Sequence, residues 1–339
     1  MKEKEKFDFN DILIKPAKVS RIETRKDINP FHQKCLPLIT APMDTVINQS
    51  NIKLFESLKV IPCMPRGEAW VGGKCFSSYS LNEIDEMILQ NKQLIFSERN
   101  GYYLIDIANG HMSKMVDSIK KFKQMCPFAK LMVGNVANPE TYVKLSNAGA
   151  DYVRIGIGNG GGCSTTVHTG IGYPMGSLVS ECYLESCKLD NPAKIVADGG
   201  MQNYSDVIKA LALGADYVML GSIFNKAIES CGDNYLWKHI KVSQKVAELA
   251  YKYNIPVYKK FRGMSTKEVQ RKWGKQHLTT SEGVVRYRRV EYSLAQWIEN
   301  FEAYLRSAMS YTNSKNLSEF IGIVETIKIS DNSYNRFKK

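Results

Sequence analysis

The segment GADYV occurs twice, in LSNAGADYV (145–153) and LALGADYVM (211–219), each time closing an amphipathic run and opening an apolar one. A helix that stops at a left-handed Gly and passes at once into a buried strand is the joint of an α/β fold. The rest of the chain keeps the same period. Apolar runs stand at 36–41, 60–64, 94–97, 102–107, 129–135, 152–158, 193–198 and 217–221. They are continuous rather than alternating, as in a parallel sheet covered on both faces. Helical patterns lie at 47–58, 80–90, 113–125, 139–150 and 204–215. Eight strands favour closure into a (β/α)8 TIM barrel over an open sheet. The 339 residues hold one such barrel plus an extension, so a single domain over 1–339 is expected. Beyond the eighth strand, 231–255 reads as a helix and 294–309 as another. The polar, basic stretch 257–292 reads as a mobile flap, and 330–339 as a frayed tail.

Composition narrows the class further. At 44% hydrophobic and 24% charged, the chain can bury a large core. No apolar run approaches the ~18 residues that span a bilayer, and the first residues lack a secretory apolar region. The eight cysteines include no C-x-x-C pair, and no His pair has zinc-ligand spacing. They read as reduced thiols of a cytoplasmic protein, most of them buried and inert. The formal charge of +12 points to an anionic partner. It is scattered rather than concentrated, apart from RYRR (286–289), which disfavours nucleic acid as that partner.

Barrels carry their chemistry at the C-terminal ends of the strands. The sixth strand runs into GIGNGGGCSTTVHTGIGYP (156–174), a Gly-rich loop with Cys163 at its tip. Such a loop bends tightly or approaches a ligand closely, and a thiol there is a candidate nucleophile. Thr165, Thr166 and His168 are near enough in sequence to hydrogen-bond a reacting group. A flexible loop with a passive Cys is the alternative. The seventh strand ends in ADGG (197–200) and the eighth in GS (221–222), which together suit a phosphate pocket. Asp198 there could accept from a ribose diol. The fourth strand ends in DIANGH (106–111), placing Asp106 and Asn109 near the mouth.

These segments carry a family resemblance. The Cys loop, IVADGGMQNYSDVIKALALGADYVMLGS, the early FDFNDILIKP and PLITAPMDTV, and the later FRGMS, SEG and LRSAMSY together resemble the IMP dehydrogenase/GMP reductase family over roughly residues 7–325. Within it, the TGIGYP continuation of the Cys loop and DIANGH resemble the reductase branch. The short Gly263-to-Glu282 segment has no Arg-Tyr pair of the kind found on a dehydrogenase flap. The expected connection between the second and third strands, 65–93, is too short for the paired regulatory CBS insertion of most dehydrogenases.

The resemblance implies an NADPH-dependent oxidoreductase that converts GMP to IMP and ammonia through a covalent purine adduct on Cys163. It implies Thr165 and Glu282 as the pair that handles the departing ammonia, with Asp106 and Arg66 in the catalytic network. Met43, Asp198, Gly199, Gly200, Gly221, Ser222, Met264, Ser265 and Gly283 would hold the nucleotide. Asp106, Ala108, Asn109 and Tyr311 would meet the cofactor. A monovalent cation such as K+ under the carbonyls of Gly158, Gly160 and Cys163, and a homotetrameric assembly, are implied in the same way. There are departures. Asn159, Gly161 and Gly162 replace the family's Pro, Ser and bulky residue, and Thr279 stands where the reductase tends to have a nucleotide-contacting Arg. A modified or deoxy purine nucleotide therefore stays open as substrate. So do an IMP dehydrogenase lacking CBS domains, and a non-catalytic homologue that binds nucleotide or RNA.

Overall fold

A computed structural model describes residues 5–68, 73–90, 101–272 and 283–337. Eight parallel strands form one sheet: β1 (Leu38–Thr40), β2 (Cys63–Met64), β3 (Phe76–Tyr79), β4 (Tyr102–Asp106), β5 (Lys130–Val136), β6 (Tyr152–Ile155), β7 (Lys194–Asp198) and β8 (Tyr217–Leu220). Each strand from β2 to β7 pairs with its successor, and β8 pairs back to β1. Closure between β1 and β2 rests on an isolated parallel bridge, Ile39 to Ile61. The Ile61 amide donates to the Leu38 carbonyl and the Thr40 amide to that of Ile61, each at 3.0 Å. The sheet is a (β/α)8 barrel.

Helices cover its outer face: α1 (Ile52–Ser57), α2 (Leu81–Leu89), α3 (Ser113–Met125), α4 (Pro139–Asn147), α5 (Met175–Ser186) and α6 (Tyr204–Ala212). Because strand side chains alternate, each strand feeds two cores. Leu104, Met132, Tyr152, Val196 and Met219 fill the lumen. Tyr103, Ile105, Val133, Val153 and Ile195 pack outward against the helices. In the lumen the Phe76 ring meets Tyr102 and Tyr152 edge-on, at 5.2 and 5.3 Å between centroids.

The GADYV joints work as the repeat implies. After α4, Gly149 has φ +106°, and the amides of Gly149 and Ala150 donate to the carbonyls of Ser146 and Leu145. After α6, Gly214 has φ +119°, and the amides of Gly214 and Ala215 return to Leu211 and Ala210. Both are Schellman endings. The Asp of each motif then anchors the preceding strand. Asp151 accepts from the Leu131 amide at 2.9 Å and Asp216 from that of Ile195 at 2.8 Å.

Four expectations need correction. The third strand is Phe76–Tyr79, whereas the run at 94–97 lies outside the described residues. The serines of FSSY interrupt its apolar pattern, yet Ser77 and Ser78 are buried in the barrel wall, so β2 connects to β3 through 65–75 alone. The stretch 231–255 is only partly helical. It contributes β9 (Asn234–Leu236) and β10 (Ile240–Val242) before α7 (Gln244–Lys252). The 257–292 stretch contains β11 (Val257–Arg262) and β12 (Val285–Arg289), which join β9 and β10 in an antiparallel sheet ordered β10-β9-β11-β12. The tail forms a helix at Asp331–Phe337 after a strand, Thr326–Lys328, that pairs with Ile12–Ile14. The helix expected at 294–309 is α8 (Leu294–Tyr311).

Candidate active site

At the C-terminal ends of the strands opens a cavity of about 440 Å3. Its wall draws on Met43 after β1, Arg66 after β2, Asp106 and Ala108 at the end of β4, and Asn135 on β5. The Cys loop after β6, Asp198–Met201 after β7 and Gly221–Ile223 after β8 continue it. Gly263, Met264 and Ser265, following β11, close one side. Volumes of this order suit a small organic ligand.

The Cys loop is held in place by backbone. Gly158 has φ +82°, and a Cβ there would fall 1.7 Å from Thr166 Oγ1, so no other residue fits. The Cys163 amide donates to the Gly160 carbonyl at 3.0 Å. Cys163 and Gly283 form an antiparallel bridge, and the Val284 amide donates to the Gly162 carbonyl at 3.1 Å. The Gly263 amide in turn donates to Val284. A chain segment from beyond the barrel thus clamps the loop from outside.

Cys163 is half-buried, with Sγ 3.1 Å from Thr165 Oγ1. Of the three neighbours proposed for the thiol, Thr165 alone reaches it among the described contacts. Thr166 donates its hydroxyl to the Ile171 carbonyl, and His168 is exposed and lines no part of the cavity. The buried thiols are held protonated. Burial pushes Cys63 and Cys231 up to about 12 and raises Cys75 and Cys182 as well.

Beneath the thiol lies an ion network that the sequence reading did not find. Arg154, on β6, points into the barrel and pairs with Asp106 at 2.6 Å and with Asp198 at 3.0 Å. Asn135 donates to the same Asp198 oxygen at 2.9 Å and to the Gly156 carbonyl at 2.8 Å. Burial opposes the charge on Arg154. The two carboxylates more than offset it and hold the guanidinium above its ordinary value. Asp198 therefore presents a fixed carboxylate to the cavity. The available signal was an Arg inside the apolar run YVRI, where only a paired charge is tolerated. A second pair, Arg262 with Asp44 at 2.6 Å, ties β11 to the loop after β1.

Most nucleotide-site candidates converge here: Met43, Asp198, Gly199, Gly200, Gly221, Ser222, Met264 and Ser265 line the cavity, as do Arg66, Asp106, Ala108, Cys163 and Thr165. Gly283 contributes through its bridge to Cys163 rather than as lining. Asn109 is turned onto its own loop, accepting from the His111 amide at 3.1 Å. Tyr311 is 63% exposed at the end of α8 and is not brought to the cavity. Glu282 and Thr279 lie outside the described residues.

Fold and site define a (β/α)8-barrel enzyme built around a thiol at the barrel mouth. Comparison with known proteins makes the class specific. Residues 83–336 match the IMP dehydrogenase / GMP reductase domain. The GMP reductase of Buchnera aphidicola subsp. Acyrthosiphon pisum is 29% identical over 98% of both chains. That of Caenorhabditis elegans is 26% identical over 96% of this chain and 92% of its own. The inosine-5'-monophosphate dehydrogenase of Chlorobaculum parvum is 42% identical, but over 40% of this chain and 27% of its own. The chain belongs to the IMP dehydrogenase/GMP reductase family and is an oxidoreductase. Among the described residues, no helix is long and apolar enough to cross a membrane.

Proposed function

We propose that this protein is a GMP reductase, converting GMP, NADPH and a proton to IMP, ammonia and NADP+. One observation carries the reading. Cys163 Sγ and Thr165 Oγ1 sit 3.1 Å apart at the mouth of a cavity whose other wall is Asp198, Gly200, Gly221 and Ser222. A purine nucleotide spanning that cavity would hold its ribose phosphate at the β7 and β8 ends and its base against the thiol.

The Cys163 thiolate adds to carbon 2 of the purine, and the exocyclic nitrogen leaves as ammonia, giving a sulfur-linked adduct. An amine leaves poorly unless protonated, so a donor beside the sulfur is required. Thr165 Oγ1, 3.1 Å from Cys163 Sγ, would stand beside the reacting carbon, and Glu282 is proposed to relay the proton through it. NADPH, when bound, would supply a hydride to carbon 2. The carbon–sulfur bond then breaks, releasing IMP and returning the thiolate. Asp106 and Ala108, both on the cavity wall, would meet the cofactor there. Asp198, immobilised by Arg154 and Asn135, orients the ribose. The carbonyls of Gly158, Gly160 and Cys163 would hold a monovalent cation, that of Gly160 accepting the Cys163 amide and keeping a second lone pair for the ion, and no step of the reaction is routed through it.

The test is GMP-dependent oxidation of NADPH, followed by absorbance, with Cys163→Ala abolishing both turnover and the mass increment of the adduct. A folded sample with no GMP-dependent turnover sinks the proposal. IMP-dependent reduction of NAD would move the chain to the dehydrogenase branch instead. Assembly as a cytoplasmic homotetramer belongs to the same proposal, and sedimentation velocity measures the assembly.

A further inference from the structure

Arg288, within the RYRR cluster, lies on β12, opposite Lys259 of β11. Its guanidinium carbon sits 4.7 Å from the centroid of the Phe261 ring. From there the group reaches the Cys loop. A Cβ built on Gly161 would lie 2.7 Å from Arg288 Nη2 and 3.7 Å from the Ser222 Cβ. The guanidinium therefore fills the space that a side chain at 161 would take, beside the turn after β8. Arg288 Nε is buried without a hydrogen-bond partner, and among the described residues no carboxylate stands within ion-pair distance of the guanidinium. What sets Arg288 apart is the missing carboxylate: Arg154 pairs with Asp106 and Asp198, and Arg262, whose Nε is likewise unpartnered, pairs with Asp44 and Glu268. Glu291, three residues along the chain, is committed to Lys226 at 2.9 Å.

A half-buried guanidinium without an anion is partly desolvated and uncompensated, and its planar fork matches a phosphate. We propose that Arg288 is a substrate-binding residue that grips the 5′-phosphate of a purine nucleoside monophosphate, together with the backbone of Gly161 and Ser222. The inference rests on the purine-nucleotide reading above. Gly161 is then required to be Gly because a larger residue would displace the guanidinium.

The experiment compares wild type, Arg288→Met, Arg288→Lys and Gly161→Ala. Met keeps an apolar stem over Phe261 and removes the charge. Binding of GMP and of guanosine is measured by calorimetry, with steady-state kinetics beside it. Arg288→Met is expected to weaken GMP roughly 10- to 100-fold, the range for losing hydrogen bonds to a charged group, while guanosine changes little. KM rises by more than kcat falls, and Arg288→Lys lies between. Gly161→Ala weakens GMP in the same sense without touching β12, which keeps the test open if the Met variant fails to fold. Unchanged GMP affinity in a folded Met variant overturns the inference, as does an equal loss for GMP and guanosine. If wild type binds IMP or AMP but turns over no GMP, the proposed reaction fails and the Arg288 comparison is read on the bound monophosphate. If it binds no purine monophosphate, both fall.

Discussion

Replacing Arg154 with Met should destabilise the barrel by a calculable amount. The Arg154 side chain is 11% exposed, and those of Asp106 and Asp198 are 17% exposed each. Removing the cation leaves two desolvated carboxylates facing each other across the top of the lumen. Breaking a buried ion pair from one side costs about 3–5 kcal/mol. With an unfolding entropy of about 2.1 cal/mol/K per residue, a chain of this length loses about 4–7 °C of Tm for that cost. Scanning calorimetry reads it directly, and urea midpoints give the same ordering if thermal unfolding is irreversible. The partner test is a double-mutant cycle with Asp106→Asn. Neutralising one carboxylate removes part of the uncompensated charge, so Arg154→Met should cost at least about 1 kcal/mol less in the Asp106→Asn background. A Tm within about 1 °C of wild type for Arg154→Met, or strict additivity in the cycle, would refute the claim that the network is a coupled, desolvated unit.

Three further outcomes rest on other parts of the molecule. Lys259 is fully buried, its ammonium donating to the Ser230 carbonyl at 2.5 Å and to Gln244 at 3.1 Å, and burial holds it down to about 8. Its folded pKa is below the unfolded value, so the unfolded chain binds more protons between about pH 8 and pH 10. The penalty is full below pH 8 and is relieved as pH rises through that window. The stability of wild type minus that of Lys259→Met should therefore climb from about pH 7.5 to about pH 9.5, and parallel curves would contradict it. Gly149→Ala should cost about 1–3 kcal/mol from its positive φ alone, since the nearest atom to a new Cβ is Lys123 Cγ at 3.5 Å. Gly214→Ala should cost more, because that Cβ meets the Tyr183 ring at 2.3 Å, and urea midpoints in the reverse order would disprove the reading. Thr165→Val should leave GMP binding intact and slow single-turnover adduct formation by about 100-fold or more, as expected for loss of an acid–base relay. An unchanged rate would remove Thr165 from the mechanism.

Local chemistry made much of this molecule legible. The GADYV joints were readable because a helix stop, a strand start and the Asp between them are all encoded within a few residues, and the structure uses each of them. The Cys loop was readable because its glycines and thiol are contiguous. The third strand was not. Its wall positions carry Ser77 and Ser78, small polar residues that a tightly packed barrel can bury but that interrupt the apolar pattern. Nor were β11 and β12, whose Lys and Arg residues look like solvent-exposed flap until their register is known.

The same limit explains the arginines. Arg154 and its partners lie 48 and 44 residues apart in sequence, and Arg288 meets Gly161 from a strand on the far side of the barrel's last helix–strand units. The apolar run YVRI marks Arg154 as buried but not its partners, and nothing local singles out Arg288 among the 46 basic residues. The net +12 suggested an anionic partner without locating it. The structure separates two roles that total charge merges. Arg154 is neutralised internally and fixes Asp198, whereas Arg288 brings a positive charge to the Cys loop with no carboxylate beside it among the described residues. A charge excess therefore carries functional information only after the paired charges are subtracted. That subtraction depends on contacts between residues far apart in the chain, which is why it had to wait for the fold.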